Sequence, residues 1–167
     1  MLAFLLSLML AVPGGATDSG AVFAKGQRFQ AEVARTDMDR ARGLMYRQSL
    51  AKDQCMIFLY EEDGYHAIWM KNCLISLDVV WTLADGTIVE MTENVPPCSP
   101  VLGNDCPNYG GTQPSRFFVE FAPGTIRRLG LKKGDRLGWE LSLGNGQALV
   151  GGAPAPKDGP KAKGRKK

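Results

Sequence analysis

Histidine is almost absent from this 167-residue chain, which holds one, His66. A Ser-His-Asp or Cys-His catalytic set would have to run through that residue, yet it stands among apolar neighbours with no catalytic motif around it. His66 reads as a structural or surface residue. Phosphate-cradling loops are missing as well: Gly110-Gly111 and Gly144-Asn145-Gly146 lack the Gly-x-x-x-x-Gly-Lys and Gly-x-Gly-x-x-Gly spacings that nucleotide sites set between a strand and a helix. There is no Cys-x-x-Cys pair, and no histidine lies close to any cysteine. That argues against zinc, so no metal and no cofactor is expected. No apolar run reaches the ~20 residues of a membrane-spanning helix.

Strong charge of either sign is also lacking once the C-terminus is set apart. The chain carries +3 overall, but the stretch from 151 to 167 alone holds six Lys or Arg against Asp158. Positions 1–150 keep 14 basic and 16 acidic residues, a net charge of −2. A nucleic-acid-binding domain would carry a basic surface, so no nucleic-acid partner is expected. The tail is rich in Pro, Gly, Ala and Lys with almost no apolar bulk, so it cannot bury enough surface to offset ordering entropy. Its expected state is a disordered basic tail, with a solvated tail preferred over an anion-binding arm.

What is present begins with an apolar run from Met1 to Val12, broken only by Ser7 and followed by Pro13-Gly14-Gly15-Ala16. Its length and small-residue flank fit a signal peptide cleaved after Ala16, with Val22 and Ala24 marking a second candidate site. No Lys or Arg precedes the run, which leaves open a true start upstream. Residues 1–24 are expected to be signal peptide and short linker, 25–150 one domain, and 151–167 the tail. The expected location is exported, periplasmic or extracellular.

Four cysteines, at 55, 73, 98 and 106, are more readily bridged than free in such a compartment. Three pairings exist for four cysteines. Cys98 and Cys106 bracket a turn-forming Ser-Pro-Val-Leu-Gly-Asn-Asp segment that could close locally, which would leave Cys55 with Cys73. A loop of the latter size, once closed, stabilises by ~3 kcal/mol.

The first expected strand is Arg28–Arg35, where Phe29, Ala31 and Val33 alternate with Gln30, Glu32 and Ala34. Thr36 with Asp39 three positions on gives a helix cap, and Gly43 ends a short helix over Asp37–Arg42. Cys55–Tyr60 is continuously apolar, the pattern of a strand covered on both faces. Strands are expected at His66–Met70 and at Asp78–Leu83, with Asp85-Gly86 turning into Thr87–Thr92. Glu93 to Ser115 is a Pro- and Gly-rich long loop. Then come a strand at Arg116–Phe121, a short helix at Thr125–Leu129, a strand at Arg136–Leu143, and an edge strand at Gln147–Val150. The expectation is a mainly β fold, an antiparallel β-sandwich or jelly-roll-like barrel with one or two short helices.

The ordered series Gly43-Leu44-Met45-Tyr46-Arg47 with Leu50, Met56-Ile57-Phe58, Trp69-Met70-Lys71-Asn72 with Leu74, Leu77 and Asp78, Asp85-Gly86 with Ile88-Val89, Val119-Glu120 with Gly124, and Gly130 with Gly134-Asp135 resembles the domain of unknown function 192 family. The resemblance covers roughly residues 29–137. It implies a compact, mostly antiparallel β-sandwich, frequently exported in bacteria, and no assigned activity. Where the family commonly has Gly before Met56 and Thr after Asn72, this chain has Cys55 and Cys73. The paired departures favour a Cys55–Cys73 bridge.

Polar residues set in apolar motifs supply the candidate site: Arg47, Trp69, Lys71, Asn72, Asp78 and Glu120. One reading is an internal ion-pair and hydrogen-bond cluster that docks the Gly43–Arg47 segment, since buried charges demand partners. The other is a shallow pocket where Arg47 and Lys71 hold an anionic or sugar ligand against Trp69. Trp69, Trp81 and Trp139 read first as core and second as stacking surfaces. The functional expectation is a non-catalytic, monomeric binding or structural module of the cell envelope, partnered by a small molecule or envelope component. The alternative is a glycosidase-like hydrolase using Asp78 and Glu120, in which the separation of the carboxylates decides the mechanism.

Overall fold

The structure is a computed structural model that describes residues 18–99, 101 and 105–154. The expected signal sequence through Ala16 and almost all of the basic tail lie outside the described residues. Ten strands and two short helices are formed by the described residues. Eight strands form one sheet: β1 (Ser19–Ala24), β2 (Gln27–Ala34), β3 (Gln54–Gly64), β5 (Leu77–Thr82), β6 (Ile88–Val95), β8 (Ser115–Phe121), β9 (Gly138–Ser142) and β10 (Ala148–Gly152). β4 (Ile68–Trp69) and β7 (Asn108–Tyr109) pair separately. The helices are α1 (Asp37–Arg42) and α2 (Thr125–Leu129).

The sheet order is β10-β9-β1-β2-β3-β8-β5-β6. Pairing is antiparallel except between β2 and β3, which run parallel. That exception to the antiparallel expectation follows from the connection, because a chain passing through α1 re-enters the sheet in its original direction. The two edges approach each other: Thr87 bridges Arg136, and Ile88 N–H donates to the Asp135 carbonyl at 2.8 Å. The sheet is therefore a curled half-barrel.

Curling gives the sheet two apolar faces. Val22, Phe29, Ile57, Val80, Ile88, Val119 and Trp139, drawn from strands β1, β2, β3, β5, β6, β8 and β9, share one buried cluster, the inside of the curl. Phe58, Val79, Trp81 and Phe118 face the other way, under Leu44, Ile68, Met70 and Cys73. Strands β3, β8 and β5 are thus covered on both sides. That explains the uninterrupted apolar run at Cys55–Tyr60, since side chains alternate across a strand.

Two expectations are overturned here. Ser19–Ala24, read as linker or signal peptide, is a strand hydrogen-bonded on both sides, to β2 and β9, with Val22 fully buried. Cleavage after Ala24 would remove it. Cys98 and Cys106 are bridged as expected, with Cα atoms 5.6 Å apart, but Cys55 and Cys73 are free and buried. Cys55 belongs to the inner cluster and Cys73 to the outer one, so the sheet itself stands between two thiols that a bridge would have to join across.

The long Pro-rich loop is tied down near its C-terminal end. Glu90 on β6 accepts from the Thr112 and Gln113 amides at 2.8 and 3.2 Å and from the Thr112 hydroxyl at 3.0 Å. Gly110, at a φ of +60°, lies against Trp81 so closely that an added Cβ would meet the ring at 2.3 Å.

Candidate functional site

The outer face of the sheet carries a pocket of about 100 Å³. Its floor comes from register. Phe58 opposes Phe118 and Met56 opposes Glu120 across β3 and β8, and directly opposed residues of an antiparallel pair point to the same side. The Phe58 and Phe118 rings stack at 4.2 Å, and Tyr60 and Glu120 complete the floor.

One wall is α1 and the turn after it. Thr36 accepts from the Asp39 amide at 3.1 Å while the Asp39 carboxylate accepts from the Thr36 amide and hydroxyl, the reciprocal capping box that starts a helix sharply. Arg40 is fixed by the carbonyls of Arg35 and Leu59 and by Asp37, with its guanidinium 4.7 Å over the Tyr60 ring. Gly43 has a φ of +44°, and an added Cβ would stand 3.2 Å from the Phe58 ring. Glycine lets the chain lie on that ring and insert Leu44.

The opposite wall is Trp69, Lys71 and Cys73. Lys71 Nζ lies 5.1 Å over the Trp69 ring, a cation–π contact, and Trp69 is 42% exposed. Tyr46 and Asn72 both have left-handed backbone, with φ of +62° and +56°, and are joined by a 2.8 Å hydrogen bond from the Tyr46 amide to the Asn72 carbonyl. The same left-handed backbone occurs at Lys25 and Asn94, and asparagine adopts it more readily than most residues. The Cys73 and Cys98 amides both donate to the Met70 carbonyl, at 3.2 and 3.1 Å, so the disulfide loop buttresses this wall.

Glu120 is the electrostatic anomaly. It is 6% exposed, and its Oε2 is buried with no hydrogen-bond partner, whereas buried polar atoms in folded proteins are nearly always paired. Burial pushes its carboxyl up to about 8. Burial likewise pushes the Cys73 thiol up to about 12, with Glu120 adding to the effect, and raises the Tyr60 phenol. Glu120 is the sole acidic side chain lining the pocket, against Arg40, Arg42 and Lys71.

Of the six residues expected to form a site, the pocket gathers three: Trp69, Lys71 and Glu120. Asn72 shapes the lip through its backbone, with its side chain turned to the Met45 sulfur at 3.7 Å. Arg47 turns away to pair with Glu32 and lines a broader surface groove. Asp78 faces the inside of the curl, because it opposes Phe121 while Val79 opposes Glu120. There it accepts from the Asn94 and Ile126 amides, both at 2.8 Å, standing in for the cap that Gly124 cannot give α2. The expected internal cluster of all five polar groups is therefore not formed. The hydrolase alternative falls with it, since carboxylates on opposite faces of a sheet cannot flank one glycosidic bond.

Arg40, Arg42, Tyr60 and the Phe58–Phe118 stack lay outside the sequence expectation. The capping box located α1, but nothing in the sequence says which wall of which pocket it forms. Among the described residues no group of three or more His, Cys, Asp or Glu could hold a metal ion, and no helix is long and apolar enough to cross a membrane.

The family model described as Uncharacterized ACR, the domain of unknown function 192, matches residues 20–139. Two solved structures are similar over most of the fold. One is described as a proposed transcription regulator from Sinorhizobium meliloti 1021, at 32% identity and a TM-score of 0.62, covering 72% of this chain and 91% of the other. The second is a protein of unknown function from Novosphingobium aromaticivorans DSM 12444, at 30% identity and a TM-score of 0.61, covering 71% and 82%. No curated protein matches.

Proposed function

This chain belongs to the domain of unknown function 192 family, and from that premise we propose that it is a non-catalytic binding module for a small anionic molecule, exported to the cell envelope. The observation that carries the reading is the charge of the pocket: Arg40, Arg42 and Lys71 line it, while its one acidic lining residue, Glu120, is buried, held protonated and without a partner at Oε2. A polar atom left unpaired in a core is unfavourable by about 1–3 kcal/mol, and a site that receives a ligand is a physical reason to keep one.

Catalysis finds little support. The nearest nucleophile, Cys73, is a thiol held protonated by burial, and a thiol must ionise to attack. His66 is stacked face to face on Tyr60 at 3.5 Å and is absent from the pocket lining. The regulator description of the Sinorhizobium protein is not carried over, because positions 1–150 have a net charge of −2 and DNA-binding surfaces are basic. Export is supported by the apolar Met1–Val12 run and by the Cys98–Cys106 bridge.

Thermal-shift measurements on the full chain with phosphate, sulfate, short carboxylates, sugar acids and amino acids test the binding reading. A ligand at 100 times its Kd stabilises the native state by about 2.7 kcal/mol. At least one anionic class should raise the Tm, and Lys71→Ala or Trp69→Ala should abolish the rise. Silence across the panel, or rises indifferent to both variants, defeats the proposal. N-terminal sequencing of protein recovered from the periplasm should begin at Thr17; intact protein in the cytoplasm alone would refute export.

A further inference from the structure

The pocket has chemically different ends. Its floor offers Glu120 between aromatic walls, Phe58 and Phe118 stacked and Tyr60 beside them. At its mouth stand the exposed Arg42 and, over the ring of the exposed Trp69, the half-buried Lys71; Arg40 serves two backbone carbonyls and Asp37 on the adjoining wall. A simple anion would complement the mouth and leave Glu120, the one acidic residue lining the pocket, without a cationic donor. Both ends are answered when donor and anion sit on one short molecule.

We infer that the pocket takes a short amino-carboxylate zwitterion, its ammonium on Glu120 and its carboxylate at the mouth with Lys71 and Arg42. This rests on the small-ligand reading above and names the ligand class. The pocket is small, about 100 Å³, which suits a compact ligand such as a two- or three-carbon amino acid.

The zwitterion leaves a signature in protons. In the empty pocket burial holds Glu120 protonated at neutral pH. An ammonium beside it favours the carboxylate, so Glu120 gives its proton to the buffer while the ligand keeps its own charges. The groups facing Glu120 do not share this titration. Tyr60 from β3 and Cys73 from the following loop are both pushed up and stay neutral, and the other charged groups lining the pocket are Arg40, Arg42 and Lys71.

Isothermal titration of the full chain at pH 7 with glycine, β-alanine, glycolate and propionate, each in PIPES and in Tris, tests the inference. Glycine or β-alanine should bind with release of about one proton. Glycolate and propionate, which lack the ammonium, should bind about tenfold more weakly or worse and release none. Glu120→Gln should abolish both the proton release and the preference. Equal affinity for propionate or glycolate, or binding without proton release, overturns the zwitterion and leaves the pocket reading intact. Failure of all four ligands overturns the zwitterion as well, and silence of the wider anion panel would remove the pocket reading with it. The wild-type comparison decides alone if Glu120→Gln does not fold.

Discussion

Glu120 should govern the pH dependence of stability. Its carboxyl ionises near 4.5 in the unfolded chain and is raised to about 8 by burial. Between these values the folded state binds the extra proton, so unfolding releases it and stability falls as pH rises. The contribution is fully present below 4.5, declines through neutrality and is lost above about 8. The greatest possible loss is on the order of 4–5 kcal/mol at 1.36 kcal/mol per pH unit. Urea unfolding at pH 5 and pH 8 should show the wild type markedly weaker at the higher pH. Glu120→Gln should flatten that difference, and a wild type equally stable at both values would contradict the assignment. The sequence marked Glu120 and Asp78 alike as carboxylates inside apolar strands. What separates them is one residue of register, which sends Asp78 to two backbone amides and Glu120 to the pocket. Pairing register is a tertiary property, so the two residues were indistinguishable in the sequence.

Elements with local causes were legible. Thr36 and Asp39 predict α1 to the residue, Gly130 ends α2, and Asp85-Gly86 turns β5 into β6. β1 was hidden because its apolar residues follow another apolar run, and only its two strand partners identify it. The disulfide was legible for the same reason as α1, since Cys98 and Cys106 are close in sequence and bracket a turn. That bridge acts on the pocket as well as on the loop, through the Cys98 amide on the Met70 carbonyl. Closing a loop with a sequence separation of 8 stabilises by about 2.5 kcal/mol in the chain-entropy model. Replacing both cysteines by serine should lower stability by about that amount, measured by denaturant unfolding with midpoint and slope both fitted. It should also weaken any pocket ligand found in the thermal-shift panel, because the wall bearing Lys71 and Cys73 loses its buttress. Unchanged stability in the double variant would mean that the bridge does not form.

At the scale of the whole molecule, the apolar run at Cys55–Tyr60 disclosed a strand covered on both faces, but not that the covers are of different kinds. The inner cover is the curl of the sheet upon itself, joining strands from both edges in one cluster. The outer cover is the Gly43–Leu50 segment, the small β4–β7 pair and the loop after β4. The closest links are long-range in sequence, which is why composition and periodicity could name the class and not the closure. The two free cysteines sit one under each cover, so they report on the two layers separately. Cys55, 1% exposed in the inner core, can react only when the sheet opens, which is close to global unfolding. Cys73, 9% exposed beneath the outer cover, needs only that cover to lift, and local openings lie below the global free energy. Labelling with iodoacetamide under native conditions, followed by peptide mapping, should therefore modify Cys73 faster than Cys55 and leave Cys98 and Cys106 unmodified. A ligand seated on Glu120 would bridge floor and cover, so it should slow Cys73 while leaving Cys55 nearly unchanged. Equal rates at the two thiols would mean that the half-barrel and its cover open as one unit. A Cys55–Cys73 disulfide recovered in the peptide map would reverse the assignment of these two residues to opposite faces.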